Sequence, residues 1–121
     1  MSEQVRRWKA AWESLDPARV VALYARDATH ASSLVPRLSP EADSAELRGI
    51  EQIRQYVERA LARFTTLRFE LVSVTESDGR SAVEYRRHSN VDGHEPAHVL
   101  ELIQWVDDRI VAVRVFHFTP H

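Results

Sequence analysis

Two titratable residues near the C-terminus sit on rows of the chain that are otherwise apolar. In the segment HVLELIQWVDDRIVAVRVFHFTPH, apolar side chains recur at every second position on either side of Asp107-Asp108. That is the period of a β-hairpin with one buried face. Val99, Ile103 and Trp105 form one row and Val111, Val113 and Val115 the other; Glu101 falls on the first and His117 on the second. A carboxylate or an imidazole on a buried face is costly unless it is paired or used. A carboxylic acid walled by Val, Ile and Trp has its charged form disfavoured, so its pKa rises. Such a group suits general acid catalysis, or general base catalysis near neutral pH. His117 can act as base, hydrogen-bond donor or ligand contact, and so can His30 on a short upstream strand. Glu101, His117 and His30 are therefore the candidate catalytic residues. The competing structural reading pairs Glu101 with Arg114 on the solvent side and places both histidines at a rim.

The turn decides between these readings. A two-residue loop, Asp107-Asp108, pairs Val106 with Arg109 and sets Glu101 opposite Arg114. A three-residue loop, Val106 to Asp108, pairs Trp105 with Arg109 and sets Glu101 opposite Val113. Val99, Ile103, Val115 and His117 then share the face of Glu101, because a one-residue slip exchanges the two faces of a strand.

The elements that would position these residues follow from periodicity. Val5, Trp8, Trp12 and Leu15 make a helical stripe over residues 3–14. Asp16-Pro17 is an N-cap followed by a proline suited to a first turn, opening a second helix expected to run through Arg26 with Tyr24 on its inner side. Residues 28–34 read as a strand with His30, Ser32 and Leu34 on one face. Residues 35–46 have two prolines and no period, and are expected to form a flap beside a pocket. Gly49 opens a third helix whose stripe includes Ile53, Val57, Leu61 and Phe64, with Tyr56 beside it. The strands LRFELVSVTE and SAVEYRRHSNV flank a turn at Ser77-Asp78-Gly79. Pro96 then marks the strand that leads into the final hairpin. Helices at the front and strands at the back imply an α+β fold, with three N-terminal helices on a curved, mostly antiparallel sheet that encloses a pocket. Trp8, Trp12, Tyr24 and Tyr56 would wall that pocket, with Ser32, Val99, Ile103, Val113 and Val115; the tyrosine hydroxyls need buried partners.

Composition narrows the function. The chain has 121 residues, matching one domain over 1–121, and a net charge of −2 with no basic run, so no nucleic-acid partner is expected. No apolar run approaches the ~20 residues of a membrane span, and no unbroken apolar core of a signal peptide is present, so no membrane association is expected. There are no cysteines, which fits a cytoplasmic location. With no glycine-rich phosphate loop, nucleophile elbow or metal motif, no cofactor or metal is expected. His88, His94 and His98 read as a surface cluster, and His121 as a chain end without a role.

Three stretches carry a resemblance. WESLDPARVVALYARDAT, LRGIEQIRQYVERAL and IQWVDDRIVAVRVFHF resemble the second-helix, third-helix and last-hairpin regions of the nuclear transport factor 2-like superfamily, in its SnoaL-like and ketosteroid-isomerase-like branch. The resemblance implies a cone-shaped fold. It places Trp8 where the isomerases keep an oxyanion-holding tyrosine, Ser32 where they keep a base aspartate, and Glu101 where they keep a second oxyanion acid. Phe118 stands where the limonene-epoxide-hydrolase branch has an aspartate. The resemblance also implies a bulged last turn, which selects the three-residue loop. Together these readings imply a cofactor-independent enzyme doing acid/base chemistry on a hydrophobic carbonyl or cyclic small molecule. A non-catalytic binder and a filled interaction module are the alternatives. The sheet face left uncovered by helices implies a homodimer through the outer face.

Overall fold

The computed structural model describes residues 1–42 and 44–118; His121 lies outside them. Helix α1 (Glu3–Glu13) is capped by Ser2, whose hydroxyl accepts from the Val5 amide at 3.2 Å, and it buries Val5, Trp8, Ala11 and Trp12. Helix α2 (Pro17–Val21) starts as its sequence implies, with the Asp16 carboxylate accepting from the Ala18 amide at 3.0 Å. Strand β1 (Tyr24–Ser32) follows, then a helical turn α3 (Val35–Leu38) and a short strand β2 (Glu46–Arg48). Helix α4 (Ile50–Ala62) precedes four long strands: β3 (Leu67–Ser77), β4 (Arg80–Ser89), β5 (Ala97–Val106) and β6 (Arg109–Phe118). Gly49 at the head of α4 has φ +85°, a left-handed conformation that L-residues rarely adopt.

The six strands form one sheet in the order β2-β1-β6-β5-β4-β3, antiparallel throughout except for the parallel pair β1–β6. The longer helices pack on its inner face, α1 against β3 and α4 against β1. This is the α+β architecture expected.

Several boundaries differ from expectation. The second helix stops at Val21, not Arg26, and Tyr24 begins a strand. No glycine or proline marks that stop. It comes from β6, which pairs with β1 at Tyr24–Ile110 and whose Ile110 amide donates to the Leu23 carbonyl at 2.7 Å. Residues 35–46 hold α3 and the first residue of β2 rather than an aperiodic flap. Leu34 lies past β1, at the head of α3.

The final hairpin corrects the register argument. Its loop is two residues, not three: Asp107 and Asp108 have φ 49° and 64°, and Val106 pairs with Arg109. Two consecutive left-handed residues make a tight turn whose twist matches the strands, and Asp tolerates that conformation. Alone, this turn would set Glu101 opposite Arg114. A β-bulge supervenes, because Trp105 pairs with Ile110 while Gln104 pairs with Ala112, leaving Val111 without an opposite number. Glu101 therefore faces Val115, Ile103 faces Val113 and Val99 faces His117. The expected inner face is present, produced by a bulge instead of a longer loop, with Ile110 buried in place of Val111.

Trp8 anchors α1 to this face. Fully buried, its ring lies 5.2 Å from Phe69 and 5.5 Å from Tyr85. Its indole N–H has no acceptor among the described residues, which offsets part of the gain from burial. Trp8→Ala should cost about 3 kcal/mol in urea melts, the lower end for a deleted core aromatic. A loss below about 1 kcal/mol would mean that α1 is not held by this contact.

Candidate functional site

Glu101 lies at the centre of the inner sheet face. Val99 and Ile103 flank it along β5, and Val83 and Val115 stand opposite it on β4 and β6. Only 6% of its surface is exposed. Tyr85, paired with Val99, is its diagonal neighbour, and the Tyr85 hydroxyl donates to Glu101 Oε2 at 2.5 Å. Burial pushes the Glu101 carboxyl up to about 7, against the pull of the Tyr85 hydrogen bond and the Arg87 charge. Burial, and then the Glu101 charge, push the Tyr85 hydroxyl well above its ordinary range, so it stays a donor. Glu101 Oε1 has no hydrogen-bond partner among the described residues and is not among their occluded, unsatisfied polar atoms.

The parallel pairing of β1 with β6 brings His30 beside Val113 and Ser32 beside Val115. His30 is buried, with Nδ1 3.1 Å from the Tyr24 hydroxyl and its ring 5.2 Å from Tyr56. Burial lowers its pKa to about 4, so it is a neutral imidazole near pH 7 and offers a hydrogen bond, not a charge. Burial raises both tyrosines and the Glu101 charge adds to the rise at each, while the Ser32 hydroxyl acts against it at Tyr56. His117 is half-buried at the rim, 3.3 Å from Ser33 Oγ, and is lowered by burial and then by Arg87.

A cavity of about 50 Å³ lies over Glu101, between the sheet and the inner sides of α1 and α4. That volume accepts a few waters or a compact organic group. Of the residues expected in the pocket, Trp12, His30, Ser32, Tyr56 and Glu101 line it, with Val115 and His117 towards its mouth. Trp8, Tyr24, Val99, Ile103 and Val113 do not line it; they are buried core behind its wall. Sequence reasoning missed Tyr85, Phe69, Arg63 and Arg87 as lining residues; Phe64, on the inward stripe of the third helix, lines the cavity as well. Arg87 follows Val83 and Tyr85 at the two-residue period of the inner face. Its guanidinium is held by Asp92 through Nε and Nη2 at 2.9 and 2.8 Å.

Among the described residues no group of three or more His, Cys, Asp or Glu is placed to hold a metal ion. His88 and His98 sit in separate pairs, with Glu70 at 2.8 Å and Glu84 at 2.6 Å. No helix of the described residues is long and apolar enough to cross a membrane.

The SnoaL-like domain family matches residues 5–113. Among solved structures, a SnoaL-like protein of unknown function from Burkholderia thailandensis is 24% identical, with a TM-score of 0.77 over 94% of this chain and 90% of that one. A protein from Catenulispora acidiphila with a ketosteroid isomerase-like fold, solved in complex with trimethylamine, is 20% identical, with a TM-score of 0.73 over 96% and 85% of the two chains. A nuclear transport factor 2-like protein from Anabaena variabilis is 14% identical, with a TM-score of 0.77 over 98% and 86%. These similarities establish the shared fold. None of the curated proteins matches the sequence.

Two buried groups make stability depend on pH in opposite directions. Glu101 binds its proton more tightly folded (about 7) than at its ordinary 4.5, so its contribution is complete below 4.5 and is lost as pH rises through 7. His30 is depressed from 6.5 to about 4, so its contribution is present above 6.5 and is lost as pH falls through 4. Between these limits the slopes oppose, and the wild type should vary little. Glu101→Gln removes one slope and keeps the other. From pH 4 to pH 8, the stability of the wild type relative to Glu101→Gln should fall by about 3 kcal/mol in denaturant melts. A pH-independent difference would show that Glu101 is not desolvated in the folded state.

Proposed function

The chain belongs to the SnoaL-like domain family, and from that premise and its buried acid we propose that it is a cofactor-independent enzyme moving a proton on a small carbonyl compound. The observation that carries this reading is Glu101: a desolvated carboxyl in a cavity, one oxygen held by Tyr85 and the other free of protein partners among the described residues. With a pKa of about 7, it is close to equally divided between acid and base at neutral pH, where proton transfer in both directions is most efficient. As carboxylate it takes a proton from the carbon next to a carbonyl; as acid it returns that proton to the same or a neighbouring atom. His30, neutral and lining the same cavity, can hydrogen-bond to the oxygen on which negative charge develops. Trp12 and Tyr56 supply a flat apolar wall for the body of the substrate.

The test is proton exchange. Simple ketones and β-dicarbonyl compounds in D₂O should lose α-protons faster with the protein than in buffer, by proton NMR. The rate should rise with pH and level off above about 7, as the base form fills. Glu101→Gln should lower it by about 10²- to 10⁴-fold. No acceleration, or full acceleration by Glu101→Gln, would refute general base catalysis by this residue. Binding of the same compounds without exchange would favour a non-catalytic carrier.

The outer face of the sheet supports a second proposal, self-association into a homodimer. Phe116 and Phe118 are 41% and 50% exposed there, beside the partly exposed Leu100 and Leu102 on β5. A hollow of about 310 Å³ is walled by Ala82, Leu102 and Ala112 between Arg80 and Arg114. An apolar strip of this kind, edged by charge, suits a symmetric contact. Light scattering should give twice the chain mass, and Phe116→Glu should return it to the monomer. A monomeric wild type at high micromolar concentration would exclude the dimer.

A further inference from the structure

The mouth of the cavity carries more positive charge than its surroundings neutralise. Arg63 and Arg87 both line it, and their guanidinium carbons lie 4.9 and 5.5 Å from the centre of one ring, Phe64. Two cations stacked against one ring repel each other unless each finds a counter-charge. Arg87 has one, the two-point contact with Asp92, which Ser89 fixes in turn by donating to Asp92 at 2.6 Å. Arg63 forms no ion pair: among the described residues no carboxylate lies within 4.0 Å of it, and its one side-chain hydrogen bond is Nε donating to the Ala60 carbonyl at 3.2 Å. Burial and then the Arg87 charge act against the Arg63 cation, and the more distant Asp92 carboxylate, already shared with Arg87, only partly offsets them.

The remaining ionisable groups of the cavity lie deeper or add no negative charge at its mouth. His117 is lowered by burial and by Arg87, and His30 is neutral. Glu101 sits at the floor with one oxygen held by Tyr85, and near neutral pH it is ionised in only part of the molecules. Among the described residues, two guanidiniums against Asp92 leave the mouth one positive charge in excess. That charge sits on a half-buried, planar group whose paired N–H donors match the two oxygens of a carboxylate. One unit of charge and a cavity of about 50 Å³ suit a monoanion and not a phosphate dianion.

We infer that the small molecule taken by this cavity carries a carboxylate, which Arg63 holds at the mouth while the apolar part of the molecule reaches towards Glu101. The inference builds on the acid/base reading above and narrows its substrate class from a small carbonyl compound to one that also carries a carboxylate. Arg63 would then serve in recognition and orientation, fixing which carbon of the substrate lies over the carboxyl of Glu101.

Acetate and acetamide test this, because they share shape, differ in charge and are compact enough for a cavity of about 50 Å³. Each is titrated into wild-type protein, Arg63→Gln and Arg63→Lys, with binding read from NMR shifts of the cavity residues. All three proteins should melt within a few degrees of one another. Wild type should prefer acetate to acetamide by at least tenfold. Arg63→Gln should lose that preference while holding acetamide as before, and Arg63→Lys should recover part of it, since it keeps the charge without the two-point geometry. Equal binding of the two probes by wild type, or a preference for acetate that survives Arg63→Gln, would overturn the carboxylate assignment. So would shifts scattered over the surface, or no binding of either probe. None of these outcomes touches the proton-transfer reading, which stands or falls on exchange by neutral ketones and its loss in Glu101→Gln.

Discussion

Removing one carboxyl from water, with a tyrosine hydroxyl holding only one of its oxygens, is the constraint around which the rest of this molecule is arranged. Placing an ionised carboxylate in an apolar interior is costly enough that the group gives up its charge instead. Glu101 has valine on both neighbouring strands and valine and isoleucine along its own, so nothing there but Tyr85 and the more distant Arg87 favours the charged form. The result is a carboxyl whose two protonation states are close in free energy near neutral pH. A full ion pair at the same place would have fixed the charge. A solvated position would have left an ordinary carboxylate.

The surroundings keep that balance from being expensive. Tyr85 is itself held by aromatic packing, 4.4 Å from Phe69 and 5.5 Å from Trp8, so the donor to Glu101 is placed by the same cluster that fastens α1 to the sheet. His30, also buried, is penalised at low pH, where Glu101 is content, and the two linkages oppose each other across the acidic range. The nearest strong cation, Arg87, is compensated by Asp92. Folding and the candidate chemistry thus share the same residues. Trp8 does for stability what Tyr85 does for the acid, and each depends on the ring of the other.

Much of this was readable from the residues. The stripes of α1 and α4, the Ser77-Asp78-Gly79 turn and the alternation on β4 and β5 are local patterns, and the elements that form follow them. The position of Glu101 on an apolar row marks it as unusual in the sequence alone. What failed was non-local. The end of α2 is set by β6, which lies far along the chain, and β2 has only three residues, too few to show a period. The register of the last hairpin combined a tight turn with a bulge. Either one alone is legible in sequence, but the pair turns the same face inwards as the single longer loop expected, with Glu101 opposite Val115 instead of Val113. The arginines at the cavity mouth were hidden for another reason. Arg87 keeps the inward period of Val83 and Tyr85, but a charged residue on such a row is read as solvated until Asp92 is seen to accompany it. Cavity size is a property of packing, and the residues lining it do not encode it one by one. Trp8, Tyr24, Val99, Ile103 and Val113 face inwards as expected and are spent on filling the core.

The state of Glu101 can be observed without knowing any substrate. Selective ¹³C labelling of glutamate side chains allows its carboxyl chemical shift to be followed across pH, with Glu101→Gln identifying the resonance. A titration midpoint near 7 is expected, rising further in Tyr85→Phe, where the hydrogen bond that favours the carboxylate is gone. A midpoint near the ordinary 4.5, unchanged by Tyr85→Phe, would mean a solvated carboxylate with no poised proton. Acid/base chemistry by this residue would then have no physical basis.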